Sequence, residues 1–330
     1  MVRTGPVTSR LECVTRRMVT PRPPLKSSFT AGVLSGWRSF IWMAKIIVPT
    51  SLVVALLQWS GWLDRIDDIL APLMSLLRLP PEAALPILSG MLVNIYAVMG
   101  AITVIPFSPA QMTIIAIFSL IAHNLILEGI VQHRSGVNVF KMTLVRLVAA
   151  AVTAFTVSRF FSGTAESVAA TSVIQPYAPL LDSLKGWALS TGELLLKVFV
   201  IIIFIMVFLE FSRAMGWIEA AQKAFKPVMR VFGLSDRATT SFVAGIAFGL
   251  LYGGAVIVEE AKKGRLTAED AGQLHVSLGI NHAMIEDPAL FAALGLNPLW
   301  LLLPRLAMAI IAVHCFRAAR RLFARTTRTA

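Results

Sequence analysis

Five apolar runs, each about as long as a bilayer is thick, constrain this chain more than any other feature. They are Phe40–Leu57, Met112–Ile130, Met142–Phe160, Leu194–Phe211 and Leu299–Phe316. A transmembrane helix needs roughly 20 apolar residues, and continuous rather than alternating runs exclude a β-barrel. Because 56% of the residues are hydrophobic and only 15% are charged, the charges are too few to cover a soluble domain. The sequence therefore predicts an all-α polytopic membrane protein.

Most of the net charge of +12 lies in two basic tails, residues 1–34 and 317–330. Basic segments beside membrane spans stay on the cytoplasmic side, so we expect both termini to be cytoplasmic in a multi-pass protein of the cell (inner) membrane. The same charge pattern makes nucleic acid an unexpected partner. Residues 1–34 lack the apolar core of a signal peptide and predict a flexible tail, with a transit peptide as the alternative.

The second half of the sequence repeats the first. Gly61-Trp62-Leu63 corresponds to Gly216-Trp217-Ile218, and helix-start patterns of the capping-box type occur at Ser108–Gln111 and Thr267–Asp270. Polar residues also recur in the same order. The aligned pairs are Ser119 with Ser277, His123-Asn124 with Asn281-His282, Glu128 with Glu286, and Arg146 with Arg305. We therefore predict two repeats, residues 35–160 and 183–316, joined by an external linker, residues 161–182, in which Ser162–Asp182 has no Lys or Arg.

Each repeat is predicted to contain three transmembrane helices, an amphipathic helix and one re-entrant hairpin. Glycine or proline interrupts the hairpin segments, Pro80–Ile105 and Ser235–Val258. An odd number of spans per repeat inverts the second repeat, giving six spans and a plan common among secondary transporters. Arg146 and Arg305 are expected to snorkel to the membrane interface, or else to pair with Glu128 or Glu286.

Two segments of the second half resemble a known family. They are Leu250–Glu260, LLYGGAVIVEE, and His282–Asp287, HAMIED. With the duplicated hydrophobic unit, they are similar to the Gate domain, also called the nucleoside-recognition domain, in two copies. Its members include the membrane part of FeoB-type ferrous-iron transporters, proteins related to concentrative nucleoside transporters, and spore-maturation proteins. The resemblance implies a transport-related membrane module and fixes no substrate.

Gly272–Leu296 carries a group of polar residues in an apolar stretch, and such residues inside a bilayer are functional by default. If the stretch is one helix, His282 and Glu286 share a face and Asp287 is adjacent. Pro288 is expected to bend or break that helix beside the acids. Imidazole with carboxylate suits a transition metal or a proton relay. His282, Glu286 and Asp287 are therefore a candidate site for a divalent metal ion.

The first repeat is predicted to supply the other half of the site, because Asn124 and Glu128 share one helix face. His123 is expected to stack with Ser119, whereas His275 is expected near the membrane interface. The hairpins are expected to break near Asn94 and at Gly253-Gly254. The candidate substrate- or ion-binding residues are Asn94, Tyr96, Ser119, His123, Asn124, Glu128, Tyr252, Ser277, Asn281, His282, Glu286 and Asp287. A polar network that only joins helices is the alternative.

We therefore expect a transporter or permease for a small polar solute or cation, with its site between two inverted repeats at the middle of the membrane. Nucleoside-like solutes and divalent metals both stay candidate substrates. The expected partners are the lipid bilayer and the solute, and a homo-oligomer stays open. A non-transporting scaffold and an intramembrane metalloenzyme, in which a metal activates water, are the alternatives, although no enzyme is expected.

Overall fold

The computed structural model describes residues 25–61, 67–161 and 179–329, and all regular elements in these ranges are helical. The first 24 residues and positions 162–178 lie outside the described residues, so most of the predicted tail and linker do too. The first helix begins at Leu25, so the last ten residues of the predicted flexible tail are helical, and the last helix continues through the basic C-terminal tail to Thr329.

The described helices of the two halves follow the same order, with one difference. The first half has α1 (Leu25–Trp59), α2 (Asp67–Leu76), α3 (Ala84–Leu92), α4 (Ile95–Ile102), α5 (Pro109–Ala122), α6 (Leu125–Arg134) and α7 (Val139–Ser158). The second half has α8 (Leu180–Ala214), α9 (Trp217–Val231), α10 (Thr239–Lys262), α11 (Ala268–Asn281), α12 (Glu286–Ala292) and α13 (Pro298–Thr329), with the single helix α10 at the place of α3 and α4. Both predicted capping boxes are confirmed, at the starts of α5 and α11.

The long helices α1 and α8 pack against each other in antiparallel orientation. A Cβ at Gly32 would lie 2.6 Å from Cα of Val207, and one at Gly36 would lie 3.1 Å from Cα of Ile203. Further along α1, Ser51 Oγ accepts a hydrogen bond from Trp187 Nε1 at 3.1 Å. Later residues of α1 therefore contact earlier residues of α8, which shows that the two helices run in opposite directions. The small residues let the two backbones approach closely, as in other membrane helix pairs.

Two helical hairpins lie beside these long helices. In the first, α3 and α4 meet at Asn94, whose side chain caps α4 by accepting from the N–H groups of Tyr96 and Ala97. In the second, α10 folds back at Gly249, where φ is 66° and ψ is −166°, a conformation essentially restricted to glycine. The turn therefore lies four residues before the predicted Gly253-Gly254 break. This is confirmed by close packing of the two arms, because a Cβ at Gly253 would lie 2.5 Å from Cα of Gly245.

Two segments that were predicted as continuous helices are interrupted. Helix α5 ends before His123 and α6 begins after Asn124, while α11 ends at Asn281 and α12 begins at Glu286. The break in the second half thus precedes the acids. Pro288 falls in the first turn of α12, where its missing N–H costs nothing. The prediction that Pro288 breaks the helix is therefore wrong.

Five described segments are long and apolar enough to cross a membrane. They are Ser27–Trp59, Pro109–Arg134, Val139–Ser158, Leu180–Ala214 and Pro298–Leu322. The sixth expected span, Ala271–Leu296, is not among them. Its break covers four residues between α11 and α12, whereas the break in Pro109–Arg134 covers two residues between α5 and α6. The fold is thus an all-helical bundle with apolar helices of bilayer length.

Candidate functional site

Each interrupted helix is closed by an arginine from the last helix of its own half. Arg146 Nε donates to the carbonyl of Ile121 at 2.9 Å and its Nη2 donates to that of His123 at 2.9 Å. Arg305 binds the carbonyls of Ile280 and His282 in the same way, at 3.0 and 2.9 Å. These carbonyls have lost their helical partners, and a cation at a helix C-terminus also offsets the helix dipole.

The hairpins accept hydrogen bonds from the backbone N–H groups that each interruption leaves without a helical partner. Asn124 and Ala283 both have left-handed backbones, with φ of 59° and 49°. The Asn124 N–H donates to the Gly90 carbonyl at 2.9 Å, and the Ala283 N–H donates to the Gly245 carbonyl at 3.1 Å. Non-helical backbone inside a membrane requires such partners, so each hairpin supports the break of its own half.

The two interruptions bring His123 and His282 into contact. Their Nε2 atoms are 3.2 Å apart and both side chains are buried. Each Nδ1 lies close to the carbonyl four residues earlier, Ser119 at 2.9 Å and Leu278 at 2.8 Å. The rings are therefore held by their own helices and meet between the two halves.

Two buried carboxylates flank the histidines. Glu128 Oε2 lies 2.8 Å from Arg146 Nη1, and its Oε1 lies 3.5 Å from Nδ1 of His282. Asp287 Oδ2 lies 3.8 Å from Nε2 of His123. Glu128 Oε1 and Asp287 Oδ2 both have no hydrogen-bond partner, and neither has Nη1 of Arg305. We refer to His123, His282, Glu128 and Asp287 with the two arginines as the histidine–carboxylate cluster.

A small cavity of about 10 Å³ reaches this cluster from the second hairpin. Its lining includes Glu128, His282, His275 and the glycines of α10. A volume of this size corresponds to about one water molecule. His275, expected near the membrane interface, is buried in the protein and its Nε2 has no hydrogen-bond partner.

Comparison with known proteins identifies the family of this chain. The family model described as Gate, nucleoside recognition, matches residues 40–161 and 195–285. The chain belongs to the Gate family. The uncharacterized membrane protein YvoD of Bacillus subtilis (strain 168) is 30% identical to this Gate chain over 292 residues, which cover 87% of the chain and 93% of YvoD. No solved structure matches.

From His123 to Glu128, each residue of the first half of this Gate chain corresponds to a residue one position later in the second half than the sequence alignment predicted. Equivalent contacts pair His123 with His282, so Glu128 corresponds to Asp287 rather than to Glu286. Each arginine is separated by 23 residues from the histidine whose carbonyl it binds. The predicted pairing of His123 with Asn281 is therefore wrong. That equal spacing in the sequence could have identified the correct register.

The predicted metal group consisted of His282, Glu286 and Asp287, but Glu286 lies apart from the other two. Its Oε1 accepts a hydrogen bond from Tyr96 Oη at 2.7 Å. The residues that could jointly hold a metal ion are instead His123, His282 and Asp287, whose ligand atoms all lie within 4.8 Å of one another. Because the helix breaks before Glu286, residues 282 and 286 no longer share a face.

The other residues that were predicted to bind substrate in this Gate chain are not members of the histidine–carboxylate cluster. Asn94 is committed to its helix cap, and Asn124 supplies the left-handed residue of the first break. Ser119, Ser277 and Asn281 are buried, with side-chain atoms that have no hydrogen-bond partner. The side chain of Tyr252 lies outside the described residues.

Arg146 and Arg305 do not reach the membrane interface, so the prediction that they snorkel to it is wrong. Arg146 is 1% exposed and Arg305 is fully buried. The alternative, pairing of Arg146 with Glu128, is confirmed. Snorkelling was the expectation for a single charge on an apolar helix, but here the carbonyls exposed by the helix breaks supply acceptors inside the protein.

Proposed function

We propose that this Gate protein is a permease for a small polar solute or cation, and that its substrate site is the histidine–carboxylate cluster. The observation that carries the proposal is the contact between His123 and His282 at two helix interruptions. Broken helices beside hairpins form the central sites of many secondary transporters. Ionisable residues in apolar surroundings are expensive to keep and mark substrate or proton pathways.

The antiparallel packing of α1 and α8 supports an inverted repeat, because these are the first helices of the two halves. Equivalent helices that run in opposite directions require opposite insertion of the two units. Reciprocal packing supports the same relation: α5 contacts both α7 and α13, and α11 contacts both α13 and α7. Counting the interrupted α11–α12 pair as the sixth crossing, the proposal has both termini on the cytoplasmic side.

The charge arrangement supports transport of a small species rather than enzymatic turnover of a lipid or peptide. Arg146 pairs with Glu128, and each histidine lies beside one acid, His282 at 3.5 Å from Glu128 and His123 at 3.8 Å from Asp287. A cavity of about 10 Å³ accommodates a water molecule or a small ion in this conformation. Alternating access would open the cluster by moving one half relative to the other.

Reconstitution into proteoliposomes tests the proposal. The purified chain is first screened for thermal stabilisation by divalent metal chlorides and by nucleosides, since a ligand of the folded state raises the melting temperature. Uptake of each stabilising solute is then measured. We expect uptake by the wild type, its loss in His282→Gln, and its retention in His133→Gln, which changes an exposed histidine on α6. Equal uptake by both variants would remove the cluster from the pathway.

Topology is tested separately with reporter tags on the two termini. Cytoplasmic reporters at both ends agree with six crossings and an inverted second half. Reporters on opposite sides would contradict the inverted arrangement, whatever the uptake assay gives.

A further inference from the structure

We propose that His123, His282 and Asp287 bind a divalent transition-metal ion, and that such ions are the substrate class of this protein. The assignment of substrate rests on the proposed permease function, whereas the metal site itself does not. Two imidazoles with one carboxylate form a ligand set that suits zinc, iron, cobalt and nickel. The three donors come from both halves, so the ion would lie at their contact.

The histidine tautomers are set by the backbone. Nδ1 of His123 lies 2.9 Å from the Ser119 carbonyl, and Nδ1 of His282 lies 2.8 Å from the Leu278 carbonyl. A carbonyl oxygen only accepts hydrogen bonds, so each Nδ1 carries the proton of the neutral ring. Both Nε2 atoms therefore present lone pairs, and a hydrogen bond on the opposite nitrogen is the usual support of a metal-ligating histidine.

The separation of the two lone pairs fits a shared cation. The Nε2 atoms lie 3.2 Å apart, where two acceptors repel each other unless a positive species lies between or beside them. Tetrahedral coordination with metal–nitrogen distances of about 2.0–2.1 Å separates the two nitrogens by about 3.3 Å. The pair thus already has nearly the spacing of two ligands on one ion.

The two carboxylates have different roles. Glu128 is paired with Arg146 at 2.8 Å, so its charge is already compensated. Asp287 is in no ion pair with an arginine among the described residues, and its ligand oxygen lies within 4.8 Å of the ligand nitrogens of His123 and His282. Asp287 is therefore the anionic ligand, while Glu128, 3.5 Å from Nδ1 of His282, is a positioning residue behind that imidazole. Three protein ligands leave a coordination position open, as in catalytic zinc sites.

Binding is measured on the full chain in detergent, after removal of the affinity tag and of metals with a chelator. Co²⁺ chloride is titrated while the visible absorption of tetrahedral Co²⁺ is recorded, and Zn²⁺ is then added as a competitor. We expect one Co²⁺ per chain. Because even supporting residues around a metal change affinity by about 10–100-fold, His123→Gln and His282→Gln should weaken binding at least as much. Asp287→Asn should also weaken it.

Two matched variants are the controls. His133→Gln removes a surface histidine, and Glu286→Gln removes the neighbouring acid, which binds Tyr96 instead of the cluster. Both should bind Co²⁺ like the wild type. Wild-type affinity in His123→Gln or His282→Gln would overturn the proposal, as would the absence of stoichiometric Co²⁺ binding to the wild type, which would favour a proton between the rings.

A measurement on the unmutated protein avoids dependence on folded variants. X-ray absorption of the Zn²⁺-loaded wild type should show two imidazole ligands with oxygen neighbours, and one imidazole or none would overturn the site. Metal uptake by proteoliposomes separates this inference from the permease proposal. Bound Co²⁺ without uptake supports the site and contradicts transport, while uptake of another solute without bound Co²⁺ contradicts the site and supports transport.

Discussion

Replacing Arg146 by Met tests whether buried arginines hold the interrupted helices together. The substitution keeps an unbranched side chain but removes the donors to the Ile121 and His123 carbonyls, both at 2.9 Å, and the ion pair with Glu128 at 2.8 Å. Hydrogen bonds from a charged donor contribute about 1.5–3 kcal/mol each, and leaving one partner of a buried ion pair costs about 3–5 kcal/mol. Because these losses overlap, we expect unfolding to become easier by about 3–6 kcal/mol.

Arg305→Met is the matched variant, because Arg305 makes the same two carbonyl hydrogen bonds, at 3.0 and 2.9 Å, but among the described residues it has no ion pair like that of Arg146 with Glu128. We expect it to cost less than Arg146→Met, and the difference reports the ion pair with Glu128. Adding Glu128→Gln to Arg146→Met removes the carboxylate left without its cation. The double variant should therefore regain roughly 1–3 kcal/mol, the range of coupling between contacting residues.

The free energy of unfolding is measured by titrating SDS into detergent micelles and following tryptophan fluorescence for the three variants and the wild type. Reversibility is checked by diluting SDS from the unfolded state. The reasoning is refuted if Arg146→Met and Arg305→Met cost the same and Glu128→Gln gives no rescue. A loss below about 1 kcal/mol, typical of a surface ion pair, would also refute it.

Three further substitutions test the hairpin, the side chain outside the cluster and the long helix pair. Gly249→Ala should destabilise by about 1–3 kcal/mol in a thermal melt, because the residue's backbone conformation is restricted to glycine. Gly192→Ala, where a Cβ meets nothing within 4 Å, is its control and should be neutral or stabilising by up to about 1 kcal/mol. Tyr96→Phe should cost about 1–2 kcal/mol through its lost hydrogen bond to Glu286, and an unchanged melting temperature would contradict that contact. Gly32→Ala should cost about 1–3 kcal/mol by separating α1 and α8, and an unchanged melt would show that these helices tolerate the added methyl group.

Some of the site was predictable because its signals are local. The capping boxes at Ser108 and Thr267 lie within one turn of the helices they begin. Polar residues in apolar stretches identified His123, Glu128, His282 and Asp287 as candidates before any contact was known. What remained wrong was their arrangement. A one-residue shift between the halves is hard to detect in apolar sequence, where many alignments match almost equally well, and the signal that reveals it is the equal spacing of 23 residues from each histidine to its arginine.

The interruptions at His123 and His282 were not predictable from local sequence. Neither break contains a glycine, and Pro288 lies after the second one. A helix normally continues unless other partners take over its backbone groups. Here those partners are distant in sequence: Gly90 and Arg146 serve the first break, and their counterparts in α10 and α13 serve the second.

The sequence by itself determined a helical membrane protein in two similar halves, because apolar runs of bilayer length can satisfy their backbone only as helices. It also determined which residues are too polar to lie in lipid without a partner. Only the tertiary structure decided that His123 meets His282, that Glu286 turns to Tyr96, and that both arginines are buried. The reason is that each of these contacts depends on a helix break whose hydrogen-bond partners lie on other elements of the fold.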